Sequence, residues 1–416
     1  MRFEVVLPPV IAVVVLSSAA HAAGATGARL AVDWKLQAQL ILDDSYRFSP
    51  VASKYVDPEV ASREGYYYQI KGPAMATDGN TVLVAWEYWG NQSVINGKVE
   101  WQGVYGIALK AVDSTTSTSM TSTYVLKRNG YIMFGPALVS YDRGKFLLAV
   151  PEVNANSYMA GADYGELWVY KVTVDAQNKR VNVDTQNALK VADNAAYPHL
   201  VYLGEDKNGN RYVAVVYEAW NPSSGKGDVA LQVLKIDASG KLDKMFSSPV
   251  TIAQGVCKDH VEGSEHYFGH ARPVASLYEE GGKKYLIVAL TDYSQASPYV
   301  SQWGWFNEWW GCKVRAFVIE LPSDLSALNS AKLTPVEVQG QLTALGAVDT
   351  TAGSNPVKKP PTNEAPWVAD NVIVYRAGPL WGGMNTVVPD VYAALIVHEN
   401  GRWVFKSDRC ICGLVY

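Results

Sequence analysis

The stretch Gly72-Pro73-Ala74-Met75-Ala76-Thr77-Asp78-Gly79-Asn80-Thr81-Val82-Leu83-Val84-Ala85-Trp86-Glu87 decides the fold. A proline opens a short alternating run, Asp-Gly-Asn supplies the turn, and a β-rich run follows and ends on an acid. Such a pattern reads as a hairpin with one tight polar end. It recurs from Gly135-Pro136 through Asp142-Arg143-Gly144-Lys145 to Glu152, and from Tyr197-Pro198 through Lys207-Asn208-Gly209-Asn210 to Glu218. A fourth copy starts at Arg272-Pro273, turns at Glu279 to Lys284 and ends at Asp292. A fifth, degenerate copy runs from Ala365-Pro366 through Asp370-Asn371 to Arg376, where the acid is replaced.

Outward from each hairpin the chain carries a variable loop and then further strand-like runs. Val104 to Val112 with Thr123 to Lys127, Glu166 to Val174, Val229 to Ile236, Lys313 to Leu321 and Val391 to His398 are rich in Val, Tyr, Leu and Ile. Those residue types suit half-buried strands. Helical periodicity is absent. Four strands per copy, at proline spacings of 63, 62, 75 and 93 residues, predict an all-β β-propeller of about five four-stranded blades. Leu36 to Leu42 and Tyr66 to Ile70 are expected to complete a blade or close the ring, which removes exposed edges; a sixth, split blade is the alternative. Residues 346–361, rich in Thr, Ser, Asn, Pro and Lys, read as a solvated connection.

The first 22 residues stand apart. Arg2, the apolar run Val5 to Leu16 and the small residues up to Ala22 read as a secretory signal peptide, leaving residues 23–416 as a single β-propeller domain in a secreted, extracellular protein. No later apolar run approaches the length of a membrane span, so none is expected in the mature chain. The 36 Lys and Arg stand against 40 Asp and Glu with no basic stripe, which argues against nucleic acid as a partner. With 13 Trp, 25 Tyr and only 18% charged residues, the composition is that of a packed chain, not a disordered one.

At these repeats the chain resembles secreted β-propeller repeat proteins, five-bladed glycoside-hydrolase-type propellers in particular. The resemblance covers residues 66–416 and rests on the blade pattern. It implies a funnel-shaped central cavity to which several blades contribute carboxylates. Here the inner strands open with Gly-Pro, Gly-Pro, Tyr-Pro-His, His-Ala-Arg-Pro and Glu-Ala-Pro instead of acids.

Within a blade the first strand descends and the second returns, which puts the prolines and the terminal acids on one upper face. Glu87, Glu152, Glu218 and Asp292 recur there, and Glu364 precedes the fifth inner strand, making these the catalytic candidates. The competing role is that each acid caps backbone in every repeat, and recurrence favours it. The upper loops also carry eight of the 13 Trp: Trp89, Trp101, Trp220, Trp303, Trp305, Trp309, Trp310 and Trp381. Exposed indoles would stack on sugars or anchor a protein interface, and buried ones would build a loop core. His199, His270 and Arg272 flank inner-strand prolines and join Trp89, Trp220, Trp305, Trp309, Trp310 and Trp381 as ligand-binding candidates.

Three of the six histidines, His260, His266 and His270, fall between the third and fourth copies beside Asp259, Glu262 and Glu265. Zinc would suit such a set and calcium the carboxylates, although no sharp metal motif is present and no cofactor is predicted. Cys257, Cys312, Cys410 and Cys412 form an even set, which in an oxidising compartment reads as disulfides. Matching heights in neighbouring blades predict Cys257–Cys312, with Cys410–Cys412 joined only if the terminal segment leaves strand geometry. The functional expectation is a secreted propeller that binds a glycan or polymeric ligand on an aromatic upper face. The alternatives are a glycoside hydrolase or lyase working in the central cavity, and a surface-structural or adhesion module that docks an extracellular protein.

Overall fold

The computed structural model describes residues 74–411 except 89–91, 96–97, 102–105, 160–161, 263–264, 301–305, 344–347, 350–356, 359–361 and 378–389. The signal peptide, the runs Leu36 to Leu42 and Tyr66 to Ile70, most of the 346–361 connection, Trp89, Trp303, Trp305, Trp381 and Cys412 lie outside the described residues. The chain divides into two compact units, Met1–Lys190 and Val191–Tyr416.

The first unit holds two antiparallel meanders. One runs Ala74–Thr77, Thr81–Tyr88, Gly106–Asp113, Tyr124–Lys127. The other runs Ala137–Asp142, Lys145–Asn154, Gly165–Asp175, and closes on residues 180–190 of the strand Arg180–Glu205. Their facing sides interleave Ala76, Leu83, Ala85, Ile107 and Leu109 with Leu138, Phe146, Leu148, Val150 and Val172. Turn chemistry fixes the lower ends. Asp78 Oδ1 accepts the N–H of Asn80 and Thr81, and Gly79 takes the left-handed φ of 96° that a β-carbon would oppose. The other carboxylate oxygen accepts Gly144 N–H of the neighbouring hairpin at 2.6 Å, which pins one turn to the next.

Three meanders fill the second unit. The first joins residues 195–205 to Arg211–Asn221, Lys226–Ile236 and Val250–Glu262. The second is Val274–Glu280, Lys283–Asp292, Lys313–Leu321, Val336–Glu337. The third is Asn363–Ala369, Val372–Ala377, Asp390–Glu399, Arg402–Cys410. The middle sheet shows why the strands alternate yet read as continuously apolar. Ala275, Leu277, Leu286, Val288, Phe317 and Ile319 pack toward the preceding sheet, and Val274, Ile287, Ala289, Ala316 and Val318 toward the following one. A side-chain period of two thus buries both faces, and each fully buried Val, Leu or Ile contributes about 1.5–3 kcal/mol.

These stacked four-stranded meanders are the blades of an all-β propeller fold. The first strands of successive blades lie against each other: Ala74–Thr77 beside Ala137–Asp142, and Val274–Glu280 beside Asn363–Ala369. Three of them start directly after the repeat prolines Pro73, Pro136 and Pro273, whereas Asn363–Ala369 begins before Pro366 and contains it; Lys313–Leu321 coincides with its expected span.

Candidate functional site

The four described blade openings share one backbone device. Gly135, Tyr197, Arg272 and Ala365, each just before an inner-strand proline, all adopt left-handed φ, of 52°, 46°, 44° and 51°. Three of the four carry a side chain in a region that costs non-glycine residues free energy, so neighbouring groups must hold them there. The acid ending the preceding hairpin does so. Glu87 Oε1 accepts the Gly135 N–H at 2.8 Å, and Glu218 Oε1 accepts the Arg272 N–H at 2.6 Å. In the last described pair the Thr291 hydroxyl accepts from Ala365 N–H at 3.1 Å, and Asp292 beside it accepts from Arg315 Nη1 instead. Glu87 and Glu218 therefore cap backbone of the following blade, whereas Asp292 accepts the Ser294 N–H of its own loop at 2.8 Å.

Glu152 has a local assignment. It is 1% exposed, takes the Tyr170 hydroxyl on Oε1 and Arg128 Nη1 on Oε2 at 2.7 Å. Burial raises its pKa against the pull of those two donors. Arg128 also reaches Glu166 and stacks on Tyr131, 3.8 Å from the ring centre.

Around Glu218 the structure gathers a denser group. Its second oxygen faces His270 Nδ1 at 2.9 Å, both side chains being buried. With one oxygen already accepting a backbone N–H, the carboxylate is the acceptor of both bonds. His270 then carries a proton on Nδ1. The His270 ring packs 4.4 Å from Tyr197 and 5.6 Å from Phe268, which meets Trp220 edge-on at 5.4 Å. The Arg272 guanidinium also lies against Tyr197, 5.1 Å from the ring centre. Arg272 is exposed to solvent, yet desolvation is the largest influence on its guanidinium, outweighed by Tyr197, Tyr293 and Glu218, which raise its pKa overall. Arg272 thus reaches solvent while its guanidinium is partly desolvated by its neighbours.

His199 has the opposite polarity to His270. Its Nδ1 accepts the Ala275 N–H at 3.2 Å, so its proton sits on Nε2, and burial holds its pKa down at about 4. The bulge between Ala196 and His199, centred on left-handed Tyr197, sets the direction of that imidazole.

Deeper in the second unit Tyr293 donates to Glu364 Oε2 at 3.4 Å, and the Cys312 thiol lies 3.7 Å from the same oxygen. Burial and Glu364 push both Tyr293 and Cys312 well above their ordinary pKa values. Arg376 is the register partner of Glu364 across the hairpin, so Glu364 restores an acid to the blade whose own terminal acid is an arginine.

The predicted Cys257–Cys312 disulfide is corrected here: Cys312 is a free, buried thiol turned to Glu364, and Cys257 packs against Gly227 and Trp220 in the preceding blade. Cys410 is exposed at the end of the last strand. Trp309 and Trp310 are 7% and 2% exposed, and Trp309 joins Tyr293, Ala296 and Cys312 in a small core, so these two indoles build a loop core instead of an open platform. Trp220 is half-buried and forms the end of the aromatic row. His260 and His266 sit on the hairpin Val250–Glu262 and Glu265–Gly269, and their side chains lie outside the described residues. Among the described residues no three His, Cys, Asp or Glu side chains are arranged to hold a metal ion. No helix there is long and apolar enough to cross a membrane. Tyr197, Phe268 and Tyr293 were not marked by the sequence; only the position of Tyr197 before Pro198 signals it.

No protein-family model matches the sequence, and no curated protein matches it. Solved structures similar to the chain include an α-L-arabinanase of Penicillium chrysogenum complexed with arabinobiose, 12% identical over 81% of this chain and 80% of that one, at a TM-score of 0.39. A levansucrase mutant of B. megaterium is 11% identical over 84% and 89%, at 0.36. A thermostable family-43 glycoside hydrolase is 13% identical over 81% and 93%, at 0.35.

Proposed function

We propose that this protein is exported and binds a glycan in the recess of the second unit bordered by Tyr197, His199, His270 and Arg272. The observation that carries the reading is a solvent-exposed guanidinium, Arg272, set against the Tyr197 ring at the end of a row of aromatic rings that runs through His270, Phe268 and Trp220. A neutral donor at His199 Nε2 and the N–H donors of Arg272 match the oxygen atoms of sugar hydroxyls, which accept hydrogen bonds as well as give them. Fixed rings keep the entropic cost of binding low. Affinity electrophoresis against a panel of soluble polysaccharides tests it. Retardation by at least one polymer, weakened about tenfold or more in His270→Ala with folding intact, supports the reading; unaltered retardation overturns it.

A hydrolytic or eliminative reaction is the second reading. It is favoured by the Tyr293–Glu364 contact, which adds a second acid–base pair to Glu218–His270 in the same unit. Release of new reducing ends or of unsaturated products from a bound polymer separates it from binding alone.

A further inference from the structure

Two of the blade openings spend backbone strain on a side chain. At the corresponding place before Pro136 the chain uses Gly135, for which a φ near 50° is free of β-carbon conflict. Tyr197 and Arg272 hold the same conformation with large side chains, and those two side chains stack on each other. Strain of this kind persists where the side chain does something that glycine cannot.

The charges around the pair point to what that is. Glu218 directs one oxygen to the Arg272 backbone and the other to His270, and its charge favours the Arg272 cation without a direct ion pair to the guanidinium. Among the described residues Arg272 forms no salt bridge, although its guanidinium is partly desolvated. The Tyr197 ring lies 5.1 Å from the guanidinium and 4.4 Å from the His270 ring. The Tyr197 hydroxyl takes one guanidinium donor; of the five N–H donors a pair that remains fits a carboxylate through two parallel hydrogen bonds. His199, neutral and protonated on Nε2, adds a further donor without adding a charge.

We propose that Arg272 is a specificity-determining residue that takes the carboxylate of an acidic sugar, so that the ligand of this recess is a uronate-containing polysaccharide. The inference rests on the glycan reading above and narrows its ligand class. Because the Arg272 backbone is left-handed, Arg272→Gly removes the guanidinium while suiting the local conformation, and Arg272→Lys keeps the charge without the fork.

The test is affinity electrophoresis of the full chain in polygalacturonate, in alginate and in a neutral arabinan, with melting temperature recorded for every variant. The expected result is retardation by a uronate polymer, relieved by added salt, lost about tenfold or more in Arg272→Gly and only partly kept in Arg272→Lys. Competition by monomeric glucuronate but not by an equal concentration of sulfate assigns the site to a carboxylate; the reverse order overturns the carboxylate assignment. Retardation by arabinan alone, unchanged in Arg272→Gly, overturns acid selection and leaves the glycan reading standing. Failure of every polymer to retard the wild-type chain overturns both.

Discussion

Glu218 and Arg272 are 54 positions apart in the chain, yet Oε1 of the first accepts the backbone N–H of the second at 2.6 Å. That bond ties the end of one blade's hairpin to the first residue of the next blade, and the same carboxylate orients His270. Removing it leaves the Arg272 N–H and the buried His270 imidazole without their acceptor. Glu218→Ala is therefore expected to cost roughly 2–4 kcal/mol, seen as a lower denaturation midpoint. Glu218→Gln, which keeps one acceptor oxygen, should cost clearly less. Equal losses in the two variants would show that the side chain matters for its volume and not for the bond. Glu87→Ala, which frees Gly135 N–H in the first unit, should follow the same order.

The pattern of residues carried the blades but not their fastening. Asp78-Gly79-Asn80 and its counterparts are local signals, because a carboxylate that bonds the backbone two and three residues on needs no information from elsewhere. Alternation in Lys283–Asp292 and Lys313–Leu321 is equally local. The destination of Glu87 and Glu218 is not, since each reaches across some 50 residues to a neighbouring sheet. Trp309 and Trp310 could not be sorted into platform or loop core from composition alone; the buried pocket beside Tyr293 and Ala296 decides it. Cys312 misled for a related reason. Its height in the blade matches that of Cys257, but its thiol is directed to Glu364, a partner 52 residues on.

The acid limb of the stability profile should report His199. Its pKa is about 4 in the fold against an ordinary 6.5, so between these values the unfolded chain binds the proton that the folded chain refuses. Stability accordingly falls as the pH drops from 6.5 toward 4, by up to about 3 kcal/mol for this group, and is level with respect to it above 7. His199→Asn retains an acceptor for the Ala275 N–H without a titrating ring and should flatten this part of the profile. Denaturant midpoints measured from pH 4 to pH 8 check it, and parallel curves for the two proteins would remove His199 as the cause.

Cys312 should be silent to thiol reagents in the native state. The sulfur is buried, its thiolate is disfavoured by burial and by Glu364, and it forms no disulfide. Iodoacetamide under native conditions is expected to leave the Cys312 peptide unlabelled, with full labelling after unfolding in the absence of reductant. A Cys312 peptide that stays unlabelled after unfolding, and is recovered only on reduction, would reinstate a disulfide at this position.

The left-handed openings allow a reciprocal test within one fold. Gly135 and Ala365 occupy equivalent places, with φ of 52° and 51°, and each N–H is held by the preceding blade, through Glu87 and Thr291. A β-carbon in this region costs about 1–2 kcal/mol, while glycine gives back about 0.5–1 kcal/mol through the greater freedom of its unfolded chain. Gly135→Ala should therefore lower stability by about 1 kcal/mol, and Ala365→Gly should leave it unchanged or raise it by up to about 1 kcal/mol. Neither exchange removes a hydrogen-bond donor, so the opposite signs isolate the backbone term from the latch itself. Thermal melts of the two single variants and the double variant are the measurement. Shifts of the same sign would mean that packing at the blade openings, and not the left-handed backbone, governs these positions.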